Sequence, residues 1–264
     1  MNEILKIAII ASIKAGEEIL KIYNTNFDVE YKADESPLTL ADRFANEVIM
    51  TYLNKTNIPV LSEEGRSIPF EERKNWKELW IVDPLDGTKE FVKKNDEFTV
   101  NIALVKEGLP VLGVVYTPVI DELYFGVHGK GAYKIENAKE IINDTDDFMN
   151  FALDLPIVKE KSYFGIVASR SHLSPETTTY IDEIRKGHDE IKIMSKGSSL
   201  KICMVAEGTA DVYPRFAPTS EWDTAAGHAV VLASGGRIVQ ANNPDKEVVY
   251  NKEDILNPWF IVKR

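Results

Sequence analysis

The sequence predicts a layered α/β fold, and three patterns carry the prediction. A helical period of apolar residues opens the chain, a block of β-rich segments follows, and strand and helix signals alternate through the second half. Ile4, Ala8, Ala11, Ala15, Ile19 and Ile22 recur at three- and four-residue steps, the apolar stripe of an amphipathic helix. A second helix is expected over Ala41 to Tyr52, after the loop Lys32-Ala33-Asp34-Glu35-Ser36-Pro37. Trp80-Ile81-Val82 is a short apolar run ending at a Pro-containing turn, the mark of a buried strand feeding a loop. Phe98 to Val105, Val111 to Tyr116 and Glu122 to Val127 are rich in β-formers and separated by Gly, Pro and Asp, so they read as consecutive antiparallel strands.

The polar, acidic stretch Glu136 to Asn150 connects two halves. Beyond it come strand Phe164 to Ala168, helix Pro175 to Arg185, strand Ile191 to Met194 and helix Ser199 to Glu207. Strand Ala210 to Tyr213, helix Thr224 to Ala233 and strand Arg237 to Gln240 complete the alternation. Ser174-Pro175-Glu176 supplies an N-cap with proline in the first turn, and Gly235-Gly236 supplies a stop. There is no internal repeat, low-complexity tract or Pro/Gly/Ser-rich linker. The expected organisation is one domain over residues 1–264 with subdomains 1–150 and 151–264, the first bearing the metal and catalytic loops and the second binding substrate.

With 264 residues, 44% of them hydrophobic, the chain can bury a substantial core. Its net charge of −11 argues against non-specific nucleic-acid binding, which needs a basic face. An anionic substrate must then be attracted locally, by bound cations or a few placed Arg and Lys side chains. Cys203 is the single cysteine; it cannot form an internal disulfide, and its apolar surroundings suit a buried helix position better than a nucleophile. No uninterrupted apolar run is long enough to span a bilayer or act as a signal segment, so the cytoplasm is the expected location.

The most informative segment is Asp83-Pro84-Leu85-Asp86-Gly87-Thr88. Asp-Pro and Asp-Gly are turn formers, and by themselves they mark a turn. Their place after a buried strand gives a second reading, in which two carboxylates project from one tight turn. Pro84 would fix the backbone there and Gly87 would let another group approach closely. Two ionised carboxylates held so close repel, and one takes up a proton unless a cation neutralises them. Oxygen ligands suit a hard cation such as Mg²⁺, whereas His128, His172, His188 and His228 form no zinc-binding pattern. Two further acidic positions are candidate partners. Glu63-Glu64 lies between the apolar run Ile58 to Leu61 and Gly65, a strand-end position or an exposed acidic loop. Asp223 precedes Thr224-Ala225-Ala226-Gly227-His228, where it reads as a helix N-cap, a role compatible with metal binding through its other oxygen.

Taken in order, Glu63-Glu64, then Trp80-Ile81-Val82-Asp83-Pro84-Leu85-Asp86-Gly87-Thr88-Lys89-Glu90-Phe91, then Trp222-Asp223-Thr224-Ala225-Ala226-Gly227 resemble the three metal-binding motifs of the inositol monophosphatase family. Each motif alone is a weak or moderate signal; the ordered set is specific and spans most of the chain. Lys89-Glu90-Phe91, the strand from Phe98 to Leu104, Ser169-Arg170-Ser171-His172, Tyr213-Pro214-Arg215 and the tail Tyr250-Asn251-Lys252 are similar to the CysQ-type branch of that family. That branch comprises 3′(2′),5′-bisphosphate nucleotidases, which act on adenosine 3′,5′-bisphosphate. The resemblance implies a sugar-phosphatase αβαβα sandwich, with an antiparallel sheet in the N-terminal half and a mixed sheet in the C-terminal half.

It also implies the roles of individual residues. Glu63, Asp83 and the Leu85 carbonyl would hold one Mg²⁺, and Asp83, Asp86 and Asp223 a second, with room for a weaker third near Glu63. Asp42 would orient or deprotonate the attacking water together with the Thr88 hydroxyl, and Glu64 would support the ligands from behind. Read without the resemblance, Asp42 is simply an acid in the first turn of a helix, favoured by the helix dipole. Gly87 and Thr88 would offer backbone N–H groups to the phosphate. Ser169, Arg170, His172, Lys201, Arg215 and Asp223 would contact the rest of the substrate; read singly, each Arg and Lys is equally a solvated surface charge and His172 a helix-entry histidine, and Ser198-Ser199 either caps a helix or touches the ribose.

The expected partner is therefore a small phosphorylated molecule, a nucleotide bisphosphate, with neither nucleic acid nor membrane span involved; the assembly is left open between monomer and homodimer. The nearest alternatives keep the chemistry and change the substrate to an inositol monophosphate, a sugar bisphosphate or a sulfated nucleotide. A non-catalytic Mg²⁺ or nucleotide sensor is the alternative of another class, and retention of Asp42 and Thr88 beside the acidic set weighs against it. Neither a Gly-x-Ser-x-Gly elbow nor a phosphate-binding Gly-x4-Gly-Lys-Ser/Thr loop is present, and Gly129-Lys130-Gly131 marks a hairpin turn.

Overall fold

A computed structural model describes residues 3–25, 29–31, 37–145, 147–168 and 174–264. The first half runs α1 (Glu3–Tyr23), β1 (Val29–Tyr31), β2 (Pro37–Thr39), α2 (Leu40–Leu53), β3 (Val60–Ser62), α3 (Phe70–Arg73), β4 (Glu78–Asp86) and α4 (Thr88–Val92). It continues with β5 (Thr99–Lys106), β6 (Leu109–Thr117), β7 (Glu122–Val127), β8 (Gly131–Glu136), α5 (Ala138–Asp144) and β9 (Leu153–Asp154). The remainder is β10 (Phe164–Val167), α6 (Pro175–Arg185), β11 (Ile191–Met194), α7 (Leu200–Glu207), β12 (Val212–Arg215), α8 (Ala225–Ala233), β13 (Arg237–Gln240), β14 (Asn243–Glu247) and β15 (Phe260–Lys263). Beside the two-stranded β1-β2 pair stand a seven-stranded sheet in sequential order β3 to β9 and a six-stranded sheet in the order β11-β10-β12-β15-β13-β14.

Alternation along the strands makes this a sandwich. On β4, Trp80 and Val82 face one way and pack with α1 and α2 residues such as Ile9, Ile13 and Ile49, while Leu79 and Ile81 face the other. That second face meets α7 and α8, whose far side meets Tyr213, Ile238, Phe260 and Val262 of the six-stranded sheet. The outer face of this sheet, including Ile166, Val212 and Val239, packs against Ile181 of α6. The layers are thus α, β, α, β, α. Helix α8 is buried almost all round because it lies between two sheets, where a one-sided stripe would leave apolar surface unmatched. It also sits unusually close to the first sheet. Gly113 and Gly126 are paired across β6 and β7, and a Cβ would come 2.2 Å from the Ala226 carbonyl oxygen at the first and 2.8 Å from the Val230 Cα at the second. The two glycines let α8 descend, and the residues just ahead of α8 descend with it.

Several expectations meet the structure with adjustments. The first sheet is antiparallel apart from the parallel β3–β4 pair, and the second is mixed as expected. The segment read as a tight turn after Val82 is a continuation of β4. Asp83 pairs with Asn101 and Asp86 with Thr99, so two residues, Pro84 and Leu85, stand opposite Val100 alone. Proline has no N–H to give to a ladder, and a bulge absorbs it without ending the strand. Asp223 is not the cap of α8; Thr224 occupies that position without a side-chain capping bond, and an Asp223 oxygen turns back to Ser220 N–H at 2.7 Å. Ser174 does cap α6, accepting Thr177 N–H at 3.2 Å. The short strands β14 and β15 carried no sequence signal strong enough to register. Among the described residues no helix is long and apolar enough to cross a membrane.

Candidate active site

The bulge in β4 decides where its carboxylates go. In a regular strand, residues three apart lie on opposite faces. Asp83 follows Leu79 and Ile81 on the face toward α8, and the extra residue brings Asp86 round to the same side. Asp223, held at the entry to α8 by the helix's close approach to the sheet, completes the group. Asp83, Asp86 and Asp223 each offer a carboxylate oxygen, and these oxygens lie within 4.8 Å of one another. Glu63 leaves β3 beside the same strand end, its N–H bonded to the Val82 carbonyl at 3.1 Å. Asp42, 3% exposed in the first turn of α2, is close enough for its charge to act on Asp83.

The electrostatics are those of a site missing a counter-charge. Burial pushes the Asp83 carboxyl well above the usual carboxylate range, and the negative charges of Glu63, Asp86, Asp223 and Asp42 push it further. Burial likewise raises Asp223, to about 7, with Asp86 and Glu63 adding to the rise and the Ser220 N–H and Arg215 opposing it. Asp83 Oδ1 accepts the Leu85 N–H at 3.1 Å, whereas its Oδ2 is buried with no protein partner. A buried carboxylate oxygen left bare costs several kcal/mol by order of magnitude. The donor set is oxygen only, anionic and convergent, which fits a hard divalent cation and does not fit zinc.

Asp86 is held from behind. Its Oδ2 accepts the Ser199 hydroxyl at 2.9 Å and lies 3.4 Å from the Asn101 amide nitrogen and from Thr99 Oγ1. The segment bearing Asp223 is held equally firmly by the chain's tail. Glu221 is fully buried and accepts the backbone N–H groups of Asn251 and Lys252 at 2.7 and 2.9 Å and the Lys252 ammonium at 2.5 Å. Asn257 Nδ2 donates to the Ser220 carbonyl at 2.7 Å and the Thr224 hydroxyl at 3.0 Å, and Tyr250 bonds Thr224 and His228 Nδ1.

Beside the carboxylates opens a cavity of about 460 Å³ whose lining includes Asp86, Asp223, Lys201, Arg215, Lys89 and Lys93. The lining carries both signs of charge, Asp86, Glu90 and Asp223 against four cationic side chains. Burial pushes the Lys201 ammonium down, with Arg215 adding to that shift and Asp86, Glu90 and Glu97 opposing it. Arg215 Nη2 donates to the Pro218 carbonyl at 3.3 Å, and its Nε is buried without a partner.

Gly87 takes φ +96°, and a Cβ there would stand 2.3 Å from Ser198 Oγ, so the position admits glycine alone without strain. Thr88 Oγ1 lies 3.5 Å from the Leu85 carbonyl, which places both of these candidate residues at the same turn. Glu64 is half-buried in the loop after β3. Of the candidate substrate residues, Lys201, Arg215 and Asp223 line the cavity, while Ser169, Arg170 and His172 lie outside the described residues. Thr99 and Asn101 were not among the candidates, and Ser199 was weighed only as a helix cap or a ribose contact. Their signal was available in part: Thr99 and Asn101 are polar residues two apart on an otherwise apolar strand, hence buried on one face.

Comparison with known proteins agrees with this geometry. Residues 1–259 match the model of the inositol monophosphatase family. Over 254 residues, 94% of this chain and 94% of each relative, the sequence is 45% identical to the 3′(2′),5′-bisphosphate nucleotidase CysQ of Salmonella typhimurium (strain LT2) and 44% identical to that of Escherichia coli (strain K12). Among solved structures, the CysQ crystal structure from Bacteroides thetaiotaomicron superposes with a TM-score of 0.89 at 53% identity, covering 97% of this chain and 95% of that one. The extragenic suppressor protein suhB of Bartonella henselae superposes with a TM-score of 0.72 at 26% identity, covering 100% of this chain and 94% of that one.

Proposed function

The chain belongs to the inositol monophosphatase family, and on that premise we propose that it is a Mg²⁺-dependent 3′(2′),5′-bisphosphate nucleotidase, converting adenosine 3′,5′-bisphosphate to AMP and phosphate. One observation carries the reading: Asp83, buried among four other acidic residues with one oxygen bare, beside a cavity whose lining also carries Lys89, Lys93, Lys201 and Arg215. Glu63, Asp83, Asp86, Asp223 and the Leu85 carbonyl would hold the Mg²⁺ ions, two in number on this proposal. Bound there, the ions supply neutralisation of the phosphate and a lowered pKa for the attacking water.

The chain's own residues do the rest. Asp42 and the Thr88 hydroxyl orient the water, and Asp42 accepts its proton. Gly87 keeps the backbone within reach of the phosphate. Lys201 and Arg215, in the cavity lining, meet the second phosphate of a bisphosphate substrate, which a monophosphate lacks. This is the feature that favours a nucleotide bisphosphate over an inositol monophosphate. The CysQ relatives at 45% identity support the same choice.

The test is phosphate release with Mg²⁺ across adenosine 3′,5′-bisphosphate, its 5′-phosphosulfate analogue, inositol monophosphate and fructose 1,6-bisphosphate. The proposal expects the highest kcat/KM on adenosine 3′,5′-bisphosphate and loss of turnover in EDTA. A clear preference for inositol monophosphate would overturn the substrate assignment. Tight nucleotide binding with no phosphate released from any ester would favour a sensor.

A further inference from the structure

We infer that Ser199 is a positioning residue that holds Asp86 in register across the two halves of the molecule, fixing which Asp86 oxygen meets the cation. Ser199 stands at the N-terminal boundary of α7, where a serine hydroxyl ordinarily caps the helix, yet it makes no capping bond. The hydroxyl is diverted instead. It lies 2.9 Å from Asp86 Oδ2 and 3.0 Å from the Asp223 carbonyl, and it receives the Asn101 amide at 3.0 Å.

A hydroxyl has one proton to give, so the surrounding donors decide where it points. Thr99 Oγ1 donates to Asn101 Oδ1 at 3.0 Å, which fixes the Asn101 amide with its NH₂ toward Ser199. Ser199 accepts that N–H and donates its own proton onward, and the carboxylate is a stronger acceptor than the Asp223 carbonyl. The result is a one-way chain, Thr99 to Asn101 to Ser199 to Asp86 Oδ2. Its first three members are between 0 and 2% exposed, so no water competes for their bonds. With Oδ2 engaged from behind, Oδ1 is the oxygen left for a cation shared with Asp83 and Asp223.

The chain also crosses the molecule. Thr99, Asn101 and Asp86 belong to the seven-stranded sheet, whereas Ser199 and Asp223 come from the layers beyond it. The neighbouring Ser198 reinforces the contact, its hydroxyl 2.8 Å from the Asp86 carbonyl and 2.7 Å from that of Glu97.

The inference rests on the proposed cation site, and the experiment separates the two. Mg²⁺ binding to wild type, Ser199→Ala, Ser199→Thr and Thr99→Val is measured by titration calorimetry without substrate. Melting in EDTA is followed alongside, and phosphate release is recorded against Mg²⁺ concentration. Loss of a ligand's outer hydrogen-bond partner weakens metal binding about 10- to 100-fold. Ser199→Ala is expected to show a loss in that range, with half-maximal activity moved to correspondingly higher Mg²⁺ and a smaller factor lost in turnover at saturation. Ser199→Thr, which keeps the hydroxyl, is expected to restore most of the affinity, and Thr99→Val to show a weaker loss in the same direction.

Wild-type Mg²⁺ affinity in Ser199→Ala, or a lowered melting temperature with unchanged affinity, would overturn the inference while leaving the cation site intact. Equal loss in the Ala and Thr variants would overturn it too, since the hydroxyl would then not be the agent. If Ser199→Ala does not fold, unchanged affinity in Thr99→Val serves the same purpose. A wild-type protein that binds no Mg²⁺ would remove the cation site and the inference together.

Discussion

Replacing Asp83 by asparagine should make the metal-free protein more stable while destroying its activity. Asp83 is 1% exposed and its carboxyl is held well above the usual range by burial and by its acidic neighbours. An acid whose pKa is raised on folding keeps its proton in the folded state and gives it up in the unfolded chain. Its presence therefore costs stability that grows as pH rises above the unfolded value. At pH 7.5, with an unfolded pKa of 3.8, the cost is at most about 1.36 × (7.5 − 3.8), or about 5 kcal/mol. Asparagine removes this cost and keeps the oxygen that accepts the Leu85 N–H.

Allowing for relaxation around the site, a gain of about 2–4 kcal/mol is expected. For 264 residues at about 2.1 cal/mol/K each, that corresponds to about 4–7 °C in melting temperature. The assay is thermal unfolding of both proteins at pH 7.5, in EDTA and in excess Mg²⁺. In EDTA the variant should melt higher; in Mg²⁺ the wild type alone should rise, by mass action on its folded state. Phosphate release by the variant should be abolished. A variant that melts no higher than wild type in EDTA would refute the claim that Asp83 is a repelled, uncompensated buried acid.

Other perturbations follow from the same physics. Asp42→Asn is expected to slow turnover by about 10²–10⁴-fold, the usual worth of a general base, with Mg²⁺ affinity near wild type by calorimetry. Burial holds His228 near pKa 3, below its ordinary 6.5, so the unfolded chain binds the proton first and stability falls as pH drops from about 6.5 toward 3, by up to about 1.4 kcal/mol per unit. His228→Gln should flatten that part of the acid melting profile. Gly87→Ala places a methyl against Ser198 at positive φ and should cost about 1–2 kcal/mol in urea unfolding, with a larger relative loss of activity than of stability.

The acidic centre was legible because its residue types are costly to bury and its motifs fall at strand ends. What the sequence concealed is instructive. Asp83-Pro84-Leu85-Asp86 carries turn residues, and the same residues serve a bulge; only the pairing of β4 with β5 distinguishes the two, and pairing is a long-range property. Asp223 and Ser199 both occupy positions where a helix cap is the local expectation, yet Asp223 turns an oxygen back to Ser220 N–H and Ser199 directs its hydroxyl to Asp86 across the molecule. Local propensity is a weak prior at such places: the Ser199 oxygen that could accept a helix N–H accepts the Asn101 amide instead, and its proton goes to the Asp86 carboxylate. Strand β15 was missed because Phe260–Lys263 is four residues long at the end of the chain, and it becomes central only by inserting between β12 and β13. Asp42 was legible through the family resemblance alone. Nothing local separates it from an ordinary first-turn acid; its burial under the strand end does.

The measurement closest to the central claim is anomalous diffraction from crystals soaked in Mn²⁺. The expected result is a strong peak within coordinating distance of the Asp83, Asp86 and Asp223 carboxylates, reduced or absent in Asp83→Asn crystals treated identically. A wild-type map with no anomalous density between those side chains would contradict the claim that this cluster is a divalent-cation site.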